Sequence, residues 1–230
     1  MTGSTPSGTP AACLVPARTV LVESLYYQNA SKVGGTALAA YPMFRLRAGV
    51  APRVEVVVDA PSQVAESGLG GAGLYPASSP GIGVNYALAQ DYRRSMVLGA
   101  ELLPPESLYA PNRAAQPRYQ FDLSSAYRVS PLLRLDATLA GASSRSAGLQ
   151  RIYPTAMFGA DLTPEPRTRI SIDLGARIIT RHAAWQSFGD VSVTRLLRKK
   201  LAFDVGLGTA FNPVNDQKSH YLAAGFNFKP

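Results

Sequence analysis

What most constrains this chain is a rhythm. Segments of about ten residues alternate apolar and polar side chains, and the connections between them are short and long in strict alternation. A period of two puts two different surfaces on one ribbon, because successive strand side chains point to opposite faces. In 44–50, Phe44, Leu46, Ala48 and Val50 share one face, while Arg45, Arg47 and Gly49 share the other. In 119–129, Tyr119, Phe121, Leu123, Tyr127 and Val129 oppose Gln120, Asp122, Ser124 and Arg128. Leu133, Leu135 and Leu139 alternate with Arg134, Asp136 and Thr138; Ile170, Ile172 and Leu174 alternate with Arg169, Ser171 and Asp173. Leu201, Phe203 and Val205 alternate with Ala202, Asp204 and Gly206. A helical period of 3.6 would mix the two sets in each segment. Noisier segments at 19–28, 53–60, 81–90, 95–103, 153–162, 188–197 and 220–228 bring the expected total to about twelve strands, each near the ~9–11 residues of a tilted membrane strand.

The connections decide more than the strands. Those at 51–52, 91–94, 130–131, 163–167 and 198–200 are tight, whereas 29–40, 61–80, 104–117, 141–152, 181–187 and 212–219 are longer. A soluble sandwich has no reason to sort its turns by parity. An up-and-down barrel in a bacterial outer membrane does, with short periplasmic turns and longer external loops. The expected fold is therefore an all-β transmembrane antiparallel barrel over 19–230, preceded by a flexible Pro-, Ser- and Thr-rich lead over 1–18. An even strand count puts both termini on the periplasmic side.

In lipid every backbone polar group must be paired within the protein, so the sheet has to close. The apolar face then meets lipid and the other face lines the interior. The inward set is Arg45, Arg47, Glu55, Asp59, Glu101, Asp122, Arg128, Arg134, Asp136, Asp173, Arg177, Asp190 and Asp204. So many charges in a dry core would cost several kcal/mol each unless paired. A hydrated lumen removes that cost, and the same residues become candidates for tuning solute selectivity. Tyr26, Tyr27, Tyr41, Tyr92, Tyr119, Tyr127, Tyr153, Phe188 and Tyr221 fall near strand ends, as interfacial girdles or as ordinary strand residues.

Composition narrows the function classes. Charged residues are 17% of the chain, below the ~25% of soluble domains. No apolar run approaches the ~18 residues of a spanning helix. The net charge is +8, yet Lys and Arg are dispersed among apolar residues, so nucleic acid is not expected as a partner. The single cysteine, Cys13, excludes an internal disulfide, and no apolar stretch precedes it as a lipoprotein signal would require. An export signal is not visible, so the reading requires one that was removed or lies outside this sequence.

The final segment, 220–228, resembles the C-terminal strand signal read by outer-membrane assembly machinery, although Lys229 and Pro230 follow it. The wider pattern resembles the transporter family named after the meta-pathway of phenol degradation. It is carried by 44–58, 81–103 with Pro104-Pro105, Asp173–Gly175, the Asp190 segment, 204–208 and 221–228. The resemblance implies a small outer-membrane barrel, often proposed to pass hydrophobic or aromatic compounds. It brings no catalytic residues.

Other motifs read as structure. Gly68-Leu69-Gly70-Gly71-Ala72-Gly73 matches a dinucleotide fingerprint by letter, but Pro76 and Pro80 stand where a helix should open. The two histidines, His182 and His220, lack a supporting Cys or carboxylate cluster for a metal. The expectation is a channel giving passive passage to small solutes, with no enzyme activity, cofactor or metal. Its surroundings would be outer-membrane lipid and lipopolysaccharide, with envelope proteins as possible partners. Two alternatives stand beside it. One is a scaffolding barrel whose lumen is plugged by 61–80, 104–117 or the N-terminal lead. The other is a hydrolase with a rim site at His182 or His220.

Overall fold

The computed structural model describes residues 12–31, 37–60, 63–68, 71–76, 80–104, 117–146, 149–178, 185–212 and 217–230. The strands are β1 (Thr19–Ser31), β2 (Ala37–Ala51), β3 (Val54–Asp59), β4 (Gln63–Gly68), β5 (Gly71–Pro76), β6 (Gly81–Gln90) and β7 (Arg94–Leu103). They continue as β8 (Arg118–Arg128), β9 (Leu133–Ser146), β10 (Leu149–Glu165), β11 (Thr168–Ile178), β12 (Trp185–Arg198), β13 (Leu201–Asn212) and β14 (Gln217–Phe228). Every pairing is antiparallel between neighbours in the sheet, and β1 pairs with both β14 and β2. That double pairing closes a barrel of 12 strands and removes its free edges. The remaining two strands, β4 and β5, form a hairpin that pairs with the Ala37–Ala40 end of β2.

Burial follows the expected parity. Along β6 the pattern from Gly81 is buried or half-buried at every second residue, with Ile82, Val84, Tyr86 and Leu88 exposed. Leu139, Phe158, Leu174 and Leu207 expose 60%, 66%, 63% and 64% of their surface. An apolar band of this extent is not tolerated on a water-facing surface and marks the lipid-contacting wall. The buried face instead holds polar groups such as Glu23, Arg47, Glu55, Ser124, Asp173 and Asn227.

Short turns gather at one end and are built by local chemistry. Asp91 Oδ1 accepts the backbone N–H of Arg93 at 2.8 Å and of Arg94 at 2.7 Å. Ser130 Oγ accepts those of Leu132 and Leu133 at 3.2 and 3.1 Å. Both are side-chain-mimicked turns. The chain's C-terminus lies at this end too, since Lys229 N–H donates to Lys200 O at 2.9 Å.

The expected loops need correction at the opposite end. Much of 29–40 and 141–152 is strand, and 61–80 contains β4 and β5. Backbone pairing continues past the lipid-contacting band, where nothing forces apolar and polar residues to alternate, so the period-two signal stops before the strands do. The Gly-rich 68–73 stretch spans the tip of the β4–β5 hairpin, with 69–70 outside the described residues.

Candidate lumen site

Two groups of charges line the inward face. The first lies on β1, β2, β3, β6 and β7. Arg47 sits between strands carrying acids and is 3% exposed. Its Nε donates to Glu55 Oε1 at 2.8 Å and its Nη2 to Glu55 Oε2 at 3.0 Å, with Glu23 Oε1 at 3.4 Å from Nη1. Glu55 also accepts from Asn85 Nδ2 at 2.8 Å. Arg45 makes a second two-pronged pair, with Nε and Nη2 each 2.7 Å from Asp59. Glu101 is 3.9 Å from Arg45. Forked guanidinium–carboxylate geometry of this kind gives the strongest ion pairs.

The second group lies on β9 to β14. Arg134 Nη2 is 2.5 Å from Asp161 Oδ2, while Asp161 Oδ1 accepts from Ser171 Oγ at 2.6 Å. Arg169 reaches Thr194 Oγ1 at 3.3 Å and Asp161 at 3.9 Å. Asn227 donates to Asp204. Cross-strand register places Asp136, Gly159, Asp173 and Asp190 side by side on four consecutive strands. Gly159 makes this row possible, because a Cβ there would collide with carboxylate oxygens of both Asp136 and Asp173.

Of the sequence-derived set, the structure brings Arg45, Arg47, Glu55, Asp59 and Glu101 into one network and Arg134, Asp136, Asp173 and Asp190 onto one wall. Asp122 lies half-buried near Ser124, its Oδ2 3.3 Å from the hydroxyl. Two members stand apart at the barrel ends. Arg128 is exposed and stacks 4.8 Å over the Tyr92 ring, and exposed Arg177 donates to Gln186 Oε1 at 2.7 Å. Sequence reasoning missed Glu23 and Asp161, which lie in segments whose alternation is noisy, and placed Arg169 on the polar face without counting it in the inward set; the three complete both networks. Among the described residues the inward face thus carries ten carboxylates (Glu23, Glu55, Asp59, Glu101, Asp122, Asp136, Asp161, Asp173, Asp190, Asp204) against five guanidiniums (Arg45, Arg47, Arg118, Arg134, Arg169).

The segment 12–16 enters this space. Arg18 adopts a left-handed backbone (φ 61°), its N–H donates to Gly49 O at 2.6 Å, and Thr19 N–H donates to Pro16 O at 3.1 Å. This tight turn swings the preceding residues inward from the start of β1. Gly49 admits them, since a Cβ there would meet the Pro16 carbonyl. Val15 N–H donates to Glu55 Oε2 at 2.6 Å, Arg47 Nη2 donates to Cys13 O at 2.9 Å, and Ser95 donates to Ala12 O. Leu14 packs with Ala87 and Val97, and Cys13 Sγ lies 3.8 Å from Arg134 Nη1. The segment therefore touches opposite walls of the barrel.

The short-turn rim is a third charged region. Arg18, Arg53, Arg93, Arg94, Arg128, Arg167, Arg195, Arg198, Lys199 and Lys200 are all exposed there. Asp91 and Glu165 are the carboxylates among the described rim residues; they pair with Arg94 at 3.2 Å and with Arg195. The carboxyl of Asp91 is held below the usual range by the backbone N–H groups of Arg94 and Arg93. His220 is exposed near the long-loop end, and His182 lies outside the described residues. Among the described residues no group of three or more His, Cys, Asp or Glu is placed to hold a metal ion.

No family model matches the chain, and no curated protein matches it by sequence. Solved structures do match. An outer membrane channel from Pseudomonas putida F1 aligns with TM-score 0.68 at 12% identity, over 94% of this chain and 97% of that one. The NanC porin aligns with TM-score 0.60 at 9% identity, over 90% of this chain and 100% of that one. An anion-selective porin from Comamonas acidovorans aligns with TM-score 0.53 at 10% identity, over 92% and 98%. The fold is thus that of outer-membrane channel and porin barrels.

Proposed function

We propose that the protein is an outer-membrane channel giving passive passage to small solutes, with its short turns and both termini on the periplasmic side. The single observation that carries this is a closed barrel whose outward band is apolar and whose inward face is densely charged. Such a wall separates lipid from a polar interior. The inward carboxylates and guanidiniums set which solutes enter, so the lumen residues named above are its selectivity elements.

The finer reading is a member of the phenol meta-pathway transporter family that carries hydrophobic or aromatic compounds. Its support is the resemblance of 44–58, 81–103 and 204–208. The C-terminal strand, with Phe226 and Phe228 exposed on its outer face, is proposed as the segment read by assembly machinery.

Planar-bilayer conductance of the purified protein tests the channel: stepwise conductance is expected, and silence from a correctly folded barrel overturns it. A second reading, a scaffolding barrel with a plugged lumen, is favoured by 12–16 touching opposite walls. A chain starting at Ala17 separates the two. If it conducts strongly where the full chain conducts weakly, the segment restricts a pore. If both are silent, the scaffolding reading stands.

A further inference from the structure

The short-turn rim carries ten exposed cations against two carboxylates among the described residues, and neither the channel nor the lumen uses them. Their position relative to the apolar band is specific. On the outward face of β7, exposed Leu98 and Met96 give way to Arg94; on that of β12, exposed Val191 and Val193 give way to Arg195. The same two strands end at the other rim in exposed Leu102 and Trp185. On these two strands the outward face thus carries a cation near the short-turn end and an apolar side chain at the other. Tyr92, 72% exposed, sits at this boundary under the Arg128 guanidinium, an aromatic–cation pair of the kind that settles at headgroup depth. Beyond it the β12–β13 turn adds Arg198, Lys199 and Lys200.

We propose that this rim is a docking ring for the phosphate headgroups of anionic glycerophospholipids in the leaflet it meets. Guanidinium and ammonium groups at the end of an apolar wall place positive charge where lipid phosphates lie. An acyl chain runs along the adjacent outward aliphatic residues while its phosphate meets the rim cations. Because the rim groups are solvated, the attraction is screened by salt. The proposal rests on the membrane-barrel reading but not on conductance, and assigning the leaflet as the inner one rests on the periplasmic short turns.

The test is native mass spectrometry of the full chain released from micelles supplied with equal phosphatidylglycerol and phosphatidylcholine. Each cation near an anionic surface is worth a factor of about five in partitioning. Wild type is expected to retain phosphatidylglycerol over phosphatidylcholine by about tenfold or more. Joint replacement Arg93→Gln, Arg198→Gln, Lys199→Gln and Lys200→Gln is expected to reduce that preference at least about tenfold. The pair Arg118→Gln and Lys218→Gln, at the other end, is expected to leave it unchanged. Equal retention of both lipids by wild type, or an undiminished preference in the rim variant, overturns the proposal. So does equal retention of added lipid A, which would assign the ring to phosphates generally. Co-sedimentation with murein sacculi that the rim substitutions abolish, with lipid retention unaltered, overturns it in favour of cell-wall carboxylates. A silent bilayer recording bears on the channel alone.

Discussion

The lumen and the short-turn rim are both crowded with charge, but with opposite sign and opposite construction. Among the described residues the lumen holds ten carboxylates against five guanidiniums, two of which are held in forked pairs with carboxylates on adjacent strands. The rim holds ten exposed cations, few of them tied to a carboxylate. A net charge of +8 describes neither region. On the channel reading proposed above, what a permeating ion would meet is set by the inward face, and there the balance is acidic. What the membrane meets is set by the rim. The difference also separates structural from merely positional charge. A buried pair cannot lose one member without stranding the other, whereas an exposed cation is free to go.

The largest expected effect tests that separation directly. Arg47→Ala strands Glu55 and Glu23 in the wall and removes a donor to Cys13 O, so it should cost about 3–5 kcal/mol of folding stability. Arg198→Ala on the rim should stay within about 0.5 kcal/mol. Urea titration of the folded barrel in vesicles compares them, and equal losses would erase the distinction. Next comes the band that keeps the two regions apart. Leu139→Arg, on the lipid face, should destabilise by about 2–4 kcal/mol, and Leu132→Arg, beside a short turn, by about 0–1 kcal/mol. A reversed order would mean that the membrane sits elsewhere on the wall. Smaller still is the effect on selectivity. Reversal potentials in a KCl gradient should show cation preference. Asp173→Asn with Asp190→Asn should lower it, while Lys199→Gln with Lys200→Gln should leave it unchanged. Anion preference in the parent protein would show that the rim, not the lumen, governs entry.

The barrel was legible in the sequence because lipid on one side and water on the other impose period two, and a tight turn has to be short. Those constraints act only within the lipid-contacting band, which is why β4, β5 and the outer ends of β9 and β10 escaped notice. The inward charges were legible for the same reason where alternation is clean, as at Arg45, Arg47, Asp173 and Asp204. Glu23 and Asp161 were not, since their neighbours break the pattern. Least legible was the crossing of the lumen by 12–16. The lead stood only as one of three candidate plug segments. What singles it out is contact with Glu55 and Arg134, 40 and 121 residues further along the chain, which are brought together only by closing the barrel.

The smallest expected effect lies where the rim is held in shape. Asp91 accepts two backbone N–H groups and pairs with Arg94, so folding favours its charged form and depresses its pKa. The sign follows by linkage: its contribution to stability is present above the unfolded-state pKa and is lost as pH falls through the depressed folded-state value. Asp91→Ala should therefore loosen the β6–β7 turn at neutral pH and match the parent protein in strong acid. Amide hydrogen exchange at Arg93 and Arg94, followed from pH 7 downward, reads this locally. Because the turn carries Tyr92 with Arg128 stacked on it, faster exchange confined to 91–94 would show that the rim depends on one exposed carboxylate for its local order. Exchange that spreads into β7 and the lumen network would instead show that the two charged regions are mechanically coupled.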